Sequence, residues 1–289
     1  MEYPKFYIGP MSKNVVDAVI EFTEETDNKI GFIPSRRQVE YSGGYVNNWT
    51  TEEFSKYVNG RVLIARDHGG SGQGYKDDDG FTSFKYDTEN FDIIHIDPWK
   101  KYQNFEDGVS ETLAVMNYIH NMNPNTEFEV GTEEAIRKFT PNELNELLKT
   151  LSEFEFFDNV KYAVVQSGVG IDLGKRINTG KYDESRLSEF IDVCRYWNVF
   201  SKEHNGETMC YIKNMGANIN ELYNICYKSK RWEKWVGRNF VPEANKKELI
   251  QICGHYILSD KTFINIKPDI DDEIKSTIKN KLKGLFDVK

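Results

Sequence analysis

An apolar run, Val62-Leu63-Ile64-Ala65, stops at Arg66-Asp67-His68-Gly69-Gly70. A carboxylate beside an imidazole can move protons, and both groups are donors for a divalent metal. The two glycines that follow let the backbone approach a ligand closely. Other apolar runs end in polar groups in the same way. His95 and Asp97 close Ile93-Ile94-His95-Ile96-Asp97, and Glu129 and Glu133 flank Val130-Gly131-Thr132. Gln166 follows Tyr162-Ala163-Val164-Val165, while Lys202, His204 and Asn205 follow Val199-Phe200. His95 and Asp97 lie two apart, so an extended strand directs both to one face. Arg36, Arg37 and Gln38 follow the run Ile30-Gly31-Phe32-Ile33. Arginine forks recognise carboxylate or phosphate in pairs, and the alternative for these two is pairing with Glu40. An inward Lys202 can form a Schiff base; the alternative is an ion pair with an acid or a substrate phosphate.

Short strands that each deliver polar groups at one end need a repeating scaffold. The runs beginning at Phe6, Ile30, Val62, Phe91, Phe128, Tyr162 and Val199 read as strands, Val62–Ala65 being the third. An eighth is expected near Tyr211-Ile212 or between Met215 and Ile219. Helical periodicity separates most of them. Val15, Val16, Val19, Ile20 and Phe22 share one side of the first helix. Thr50 or Thr51 caps the next, with Glu53 in its first turn. Pro141 opens another, with Leu144, Leu147, Leu148 and Leu151 on its apolar face. A further helix runs from Asp183 to Trp197, and the residues after the eighth strand read as helical. Gly69 to Gly80 and Gly168 to Lys181 read as long rim loops. No helix is expected directly after Gly70-Ser71-Gly72-Gln73-Gly74, so this is not a nucleotide fingerprint. Alternating strands and helices imply parallel strands with right-handed crossovers. Eight such units close a barrel and five or six make an open sheet, so the eighth strand decides.

The 289 residues suit one large α/β unit, and the net charge of −9 argues against a duplex nucleic-acid partner. No window approaches ~18 consecutive apolar residues, and the N-terminus carries no apolar signal region; a soluble, cytoplasmic protein with no membrane partner is expected. Cys194, Cys210, Cys226 and Cys253 form no C-x-x-C pair and read as buried free thiols. Trp232 and Trp235 suggest a C-terminal helix that covers the scaffold or a neighbouring subunit.

Several of these segments resemble one family together. They are Ser35-Arg36-Arg37-Gln38-Val39, Gly43-Gly44-Tyr45, Thr50-Thr51-Glu52-Glu53-Phe54, Asp67-His68, His95-Ile96-Asp97, Val130-Gly131-Thr132-Glu133, Val164-Val165-Gln166-Ser167-Gly168-Val169 and Glu203-His204-Asn205. In order and spacing, from about residue 6 to residue 225, they resemble the tagatose-bisphosphate aldolase accessory (non-catalytic) subunit family. That family is similar to the class II, metal-dependent ketose-bisphosphate aldolases. The resemblance implies an α/β fold, a (β/α)8 TIM barrel, placed at residues 1–225, and residues 226–289 read from their own pattern as a helical extension packed on it. It implies a divalent metal, zinc foremost, held by His68 and His204 with Glu129 or Glu133. Asp67 or Glu133 is then the acid/base. Asn218 is nearest to an asparagine that holds substrate after strand eight. Arg36, Arg37, Gln38, His95, Asp97, Gln166, Lys202 and Asn205 complete the substrate-binding set, and the metal-dependent class disfavours a Schiff base at Lys202. The enzymes carry another histidine ligand after strand six; here the region reads Gln166-Ser167-Gly168, a gap that the accessory subunits share. The implied activity is aldol cleavage, or retro-aldol epimerisation, of a phosphorylated sugar. The alternative is a non-catalytic barrel that stabilises an aldolase partner. A homo-oligomer or a complex with a catalytic aldolase subunit is expected on the same ground.

Overall fold

The computed structural model describes residues 3–10, 13–44, 46–74, 77–134, 136–172, 177–202 and 270–287. His204, Asn205, Asn218, the expected eighth strand, the 225/226 boundary and Trp232 and Trp235 lie outside the described residues. The chain divides into two compact units, one of residues 1–64 and 207–289, the other of residues 65–206.

In the first unit, β1 (Phe6–Ile8) pairs in parallel with β2 (Ile30–Phe32), and α1 (Lys13–Glu25) crosses between them. Val15, Val16, Val19, Ile20 and Phe22 of α1 are buried, as their spacing requires. The next helix, α2 (Thr51–Val58), starts at a reciprocal cap. The Thr50 side chain accepts from the Glu53 N–H at 3.1 Å, and the Glu53 carboxylate accepts from the Thr50 N–H at 2.9 Å.

The second unit alternates strand and helix. In order these are β3 (Ala65–Gly69), α3 (Phe81–Asn90), β4 (Ile93–Ile96), α4 (Phe105–Met122), β5 (Glu127–Val130), α5 (Pro141–Leu151) and β6 (Val160–Val164). A hairpin of β7 (Val169–Asp172) and β8 (Ile177–Gly180) follows, then α6 (Glu184–Tyr196) and β9 (Phe200–Lys202). The parallel sheet has the order β3-β4-β5-β6-β9. One face carries Ile94, Ile96, Phe128, Val130 and Ala163, packed with Val115, Met116 and Ile119 of α4, Leu144, Leu147 and Leu148 of α5 and Phe190 of α6. Burying each of these large side chains contributes roughly 1.5–3 kcal/mol. The pleat sends the alternate residues the other way, and there His95, Glu129 and Tyr162 stand in one register row. The apolar face thus anchors the sheet to its helices, and the polar face is left for chemistry. The last helix, α7 (Ile270–Asp287), belongs to the first unit and packs on α1, where Lys275 reaches Glu21 at 2.7 Å.

Three local expectations are corrected. The third strand is not Val62–Ala65 but Ala65–Gly69, and Ile64 makes only an isolated bridge to Phe32. Hydrophobicity marked burial there, whereas the ladder runs on into the polar tip. Between the third and fourth strands, where no helix was expected, α3 opens at Phe81, past the loop to Gly80 and not directly after Gly70–Gly74. Its buried side is Ser83, Phe84, Asp87 and Thr88, so it showed no apolar stripe. Gly168 to Lys181 is not all loop, because β7 and β8 pair antiparallel from Val169↔Gly180 to Asp172↔Ile177. Among the described residues the ladders do not close into a ring. No described helix is long and apolar enough to cross a membrane.

Candidate metal and acid/base site

The site grows from an irregularity at the tip of β3. The ladder pairs Arg66 with Ile94 and then Gly69 with Ile96, so β3 advances three residues while β4 advances two. An extra residue is a bulge, and it re-aims the side chains beside it. His68 has φ +44°, the left-handed region that few non-glycine residues occupy. In a regular strand Asp67 and His68 would face opposite ways. Here Asp67 Oδ1 and His68 Nε2 are 3.5 Å apart.

Two neighbours hold this arrangement. His68 Nδ1 meets Asp97 Oδ2 at 2.5 Å. Asp97 is fully buried, and it also accepts from Thr132 Oγ1 at 3.1 Å and from the Trp99 N–H at 3.3 Å. The backbone N–H of His68 donates to His95 Nδ1 at 3.2 Å. With Nδ1 accepting, the tautomer that fits places a proton on His95 Nε2, which donates to the Gly131 carbonyl at 3.1 Å. Gly69 is a glycine for a steric reason: a Cβ there would lie 2.7 Å from the His95 carbonyl oxygen and 2.7 Å from the Phe84 ring. Gly131 takes φ +102°, which a side chain would strain.

Electrostatics follow from the neighbours. Burial alone would lower the His68 pKa. The charge of Asp67, the hydrogen bond and charge of Asp97, and the charge of Glu133 outweigh it and raise the pKa to about 10. Without a metal, His68 is an imidazolium at neutral pH.

Asp67, His68 and His95 bring ligand atoms within 4.8 Å of one another. Both ring nitrogens of His95 are already bonded, so Asp67 and His68 are the better donors. Their separation suits one ion. Two ligands of a tetrahedral zinc at about 2.0–2.1 Å stand about 3.4 Å apart. A carboxylate on the far ring nitrogen, as Asp97 is on His68, fixes the tautomer that presents Nε2 to a metal. The donor set therefore fits a divalent cation.

The remaining sequence candidates divide. Glu133 is half-buried, and its charge reaches His68. Glu129, fully buried on β5, is ion-paired with Lys202 on β9, whose ammonium sits 5.0 Å from the Tyr162 ring centroid. Gln166 spends its full hydrogen-bonding capacity on the protein. Its Nε2 donates to the Thr132 and Arg137 carbonyls, both at 2.9 Å, and its Oε1 accepts from the Phe139 N–H at 2.9 Å and Arg186 at 2.8 Å. In the first unit, Arg36 is buried against Glu40 at 2.6 Å, Gln38 accepts from the Ser35 N–H at 2.8 Å, and Arg37 is half-buried beside them. Sequence reasoning passed over Thr132 and Trp99, which anchor Asp97. It also passed over the Arg66–Asp87 ion pair, at 2.5 Å and fully buried, which ties β3 to α3. A charged residue directly at the end of an apolar run, as Arg66 is, was the available signal for that pair.

The sequence matches no protein-family model, and no curated protein matches it. Among solved structures it is similar to the fructose-bisphosphate aldolase of Campylobacter jejuni, at 11% identity and a TM-score of 0.58, over 98% of this chain and 89% of that one. This likeness shows the fold, an α/β fold of the (β/α)8 barrel class. Looser similarities are to a Coccidioides immitis protein assigned as a fructose-1,6-biphosphate aldolase, at 12% identity and TM-score 0.44 over 89% and 88% of the two chains. Another is to the carboxyl transferase domain of Rhizobium etli pyruvate carboxylase, at 11% identity and TM-score 0.35 over 89% and 47%. Neither of these carries an argument.

Proposed function

We propose that this protein is an aldolase-like lyase, or a retro-aldol epimerase, for a phosphorylated sugar, working with a divalent cation held by Asp67 and His68. The observation that carries the reading is the kinked tip of β3, which turns a carboxylate and an imidazole to within 3.5 Å of each other while Asp97 secures the far ring nitrogen. Aldol cleavage needs a base for a hydroxyl proton and an electrophile for the charge that develops on the carbonyl oxygen. The cation, when bound, supplies that electrophile as a Lewis acid. Asp97 keeps the His68 proton on Nδ1 and leaves Nε2 for the cation. With Asp67 on the cation, Glu133 takes the substrate hydroxyl proton. His204 is a further proposed ligand and Asn205 a proposed substrate contact. Zinc is the proposed metal.

The test is metal analysis of the purified protein, followed by cleavage assays on ketose bisphosphates with the metal removed and restored. Cleavage that needs the cation and falls at least 100-fold in His68→Ala and Asp67→Asn supports the reading. Full turnover by either variant overturns it.

A second reading is favoured by Gln166. It stands where the resemblance calls for another histidine ligand, and all four of its bonds serve the 132–139 loop and α6. On that reading the chain is an accessory barrel of the tagatose-bisphosphate aldolase kind, which stabilises a catalytic partner. A metal-free, inactive protein that forms a stable complex with a class II aldolase would favour it.

A further inference from the structure

The bulge in β3 leaves a backbone donor that the ladder does not serve. Arg66 pairs with Ile94 and Gly69 with Ile96, so the residues between them have one β4 position to share. A buried N–H without an acceptor costs roughly 1–3 kcal/mol. The donor of His68 is satisfied instead by a side chain, His95 Nδ1, at 3.2 Å. His95 is itself fully buried, and its other nitrogen is fixed on the Gly131 carbonyl. The two rings lie close, with centroids 5.1 Å apart and planes at 47°.

We propose that His95 is a positioning residue, a latch on the backbone of His68 that keeps the strand in its left-handed kink. The inference rests on the metal reading of Asp67 and His68 and goes beyond it, because it takes His95 out of the ligand and substrate sets. The division of labour is spatial. Asp97 orients the His68 ring, and His95 holds the peptide that carries it. Without the latch, only the Asp97 bond to the ring and the ladder pairing on either side of the bulge still hold residue 68, and relaxation toward an ordinary strand conformation turns the imidazole away from Asp67. A ligand pair with 3.5 Å spacing then becomes two separate groups.

Two conservative variants separate the two bonds of His95. In His95→Asn the amide oxygen stands where Nδ1 stood, so the latch survives and the Gly131 contact is lost. In His95→Gln the polar end reaches the Nε2 position, so the Gly131 contact survives and the latch is lost. Two readouts are taken. The first is exchange of the His68 amide hydrogen in metal-free protein; the second is Co2+ affinity from its visible absorption.

Protection and affinity close to wild type in His95→Asn, with faster amide exchange and affinity about 10- to 100-fold weaker in His95→Gln, are the expected result. Equal behaviour of the two variants in amide exchange overturns the latch. Should either variant misfold, NMR coupling across the hydrogen bond between the His68 amide and His95 Nδ1 in the wild-type protein decides, and its absence overturns the proposal. A wild-type protein that binds no Co2+ counts against the metal reading, while the amide measurement still judges the latch.

Discussion

Proton and metal compete for the same nitrogen of His68, and the competition has a calculable size. The metal-free imidazole holds its proton up to a pKa of about 10, because Asp67, Asp97 and Glu133 surround it. A cation that takes Nε2 must expel one proton at any lower pH. The apparent affinity for Co2+ therefore rises about tenfold per pH unit and levels off above about pH 10. At pH 8 the protein binds about 100-fold more weakly than at the plateau, a difference of about 2.7 kcal/mol. Calorimetric titration at pH 7.0, 7.5, 8.0 and 8.5, in two buffers of different ionisation enthalpy, measures both the slope and the proton released. Asp97→Asn lowers the His68 pKa by removing the neighbouring charge, which moves the plateau to lower pH. It also frees the ring and lowers the limiting affinity by about 10- to 100-fold. The sign for stability is the reverse. A raised pKa means that the charged His68 stabilises the metal-free fold fully below its unfolded pKa of about 6.5, and this contribution is lost as pH rises through about 10. Affinity that stays flat from pH 7.0 to 8.5, with no proton released, would refute the reasoning.

Three further outcomes are expected. Glu129→Gln removes the carboxylate on which the Lys202 ammonium is buried and should cost about 3–5 kcal/mol in urea unfolding; a loss below 1 kcal/mol would mean that the pair is solvated. Gln166→Leu strands the Thr132 and Arg137 carbonyls and the Phe139 N–H, so stability should fall by at least ~2 kcal/mol and amide exchange should speed up across residues 132–139. Leu148→Ala opens a cavity in the fully buried α4–α5 core and should cost about 2–5 kcal/mol, with Co2+ affinity unchanged once the protein is folded.

Patterns that repeat were legible in the sequence. Pro141 after Thr140 gave α5 its start and the Leu144, Leu147, Leu148 and Leu151 stripe its buried face, and Thr50 or Thr51 with Glu53 gave α2 its start. The two-residue spacing of His95 and Asp97 put both on one strand face, and in the structure both contact His68. What escaped were features in which a polar contact replaces an apolar one. Helix α3 buries Asp87 against Arg66 rather than a hydrophobic stripe, so periodicity was silent. The bulge that makes Asp67 and His68 neighbours leaves no mark in a residue string, because period-two reasoning sends them to opposite faces. Gln166 looked like a free polar group for a ligand, and which acid, if any, pairs with Lys202 was left open. Their partners lie 29 and 73 residues away at Arg137 and Glu129, a distance that no local pattern reports.

The central claim is that Asp67 and His68 share one cation. Anomalous diffraction from crystals equilibrated with Zn2+ tests it directly. A single peak about 2.0–2.2 Å from both an Asp67 carboxylate oxygen and His68 Nε2, with Asp97 still on Nδ1, is the predicted result. A saturating Zn2+ soak that leaves this corner of β3 without a peak, while His68 keeps its ion pair with Asp67, would contradict it.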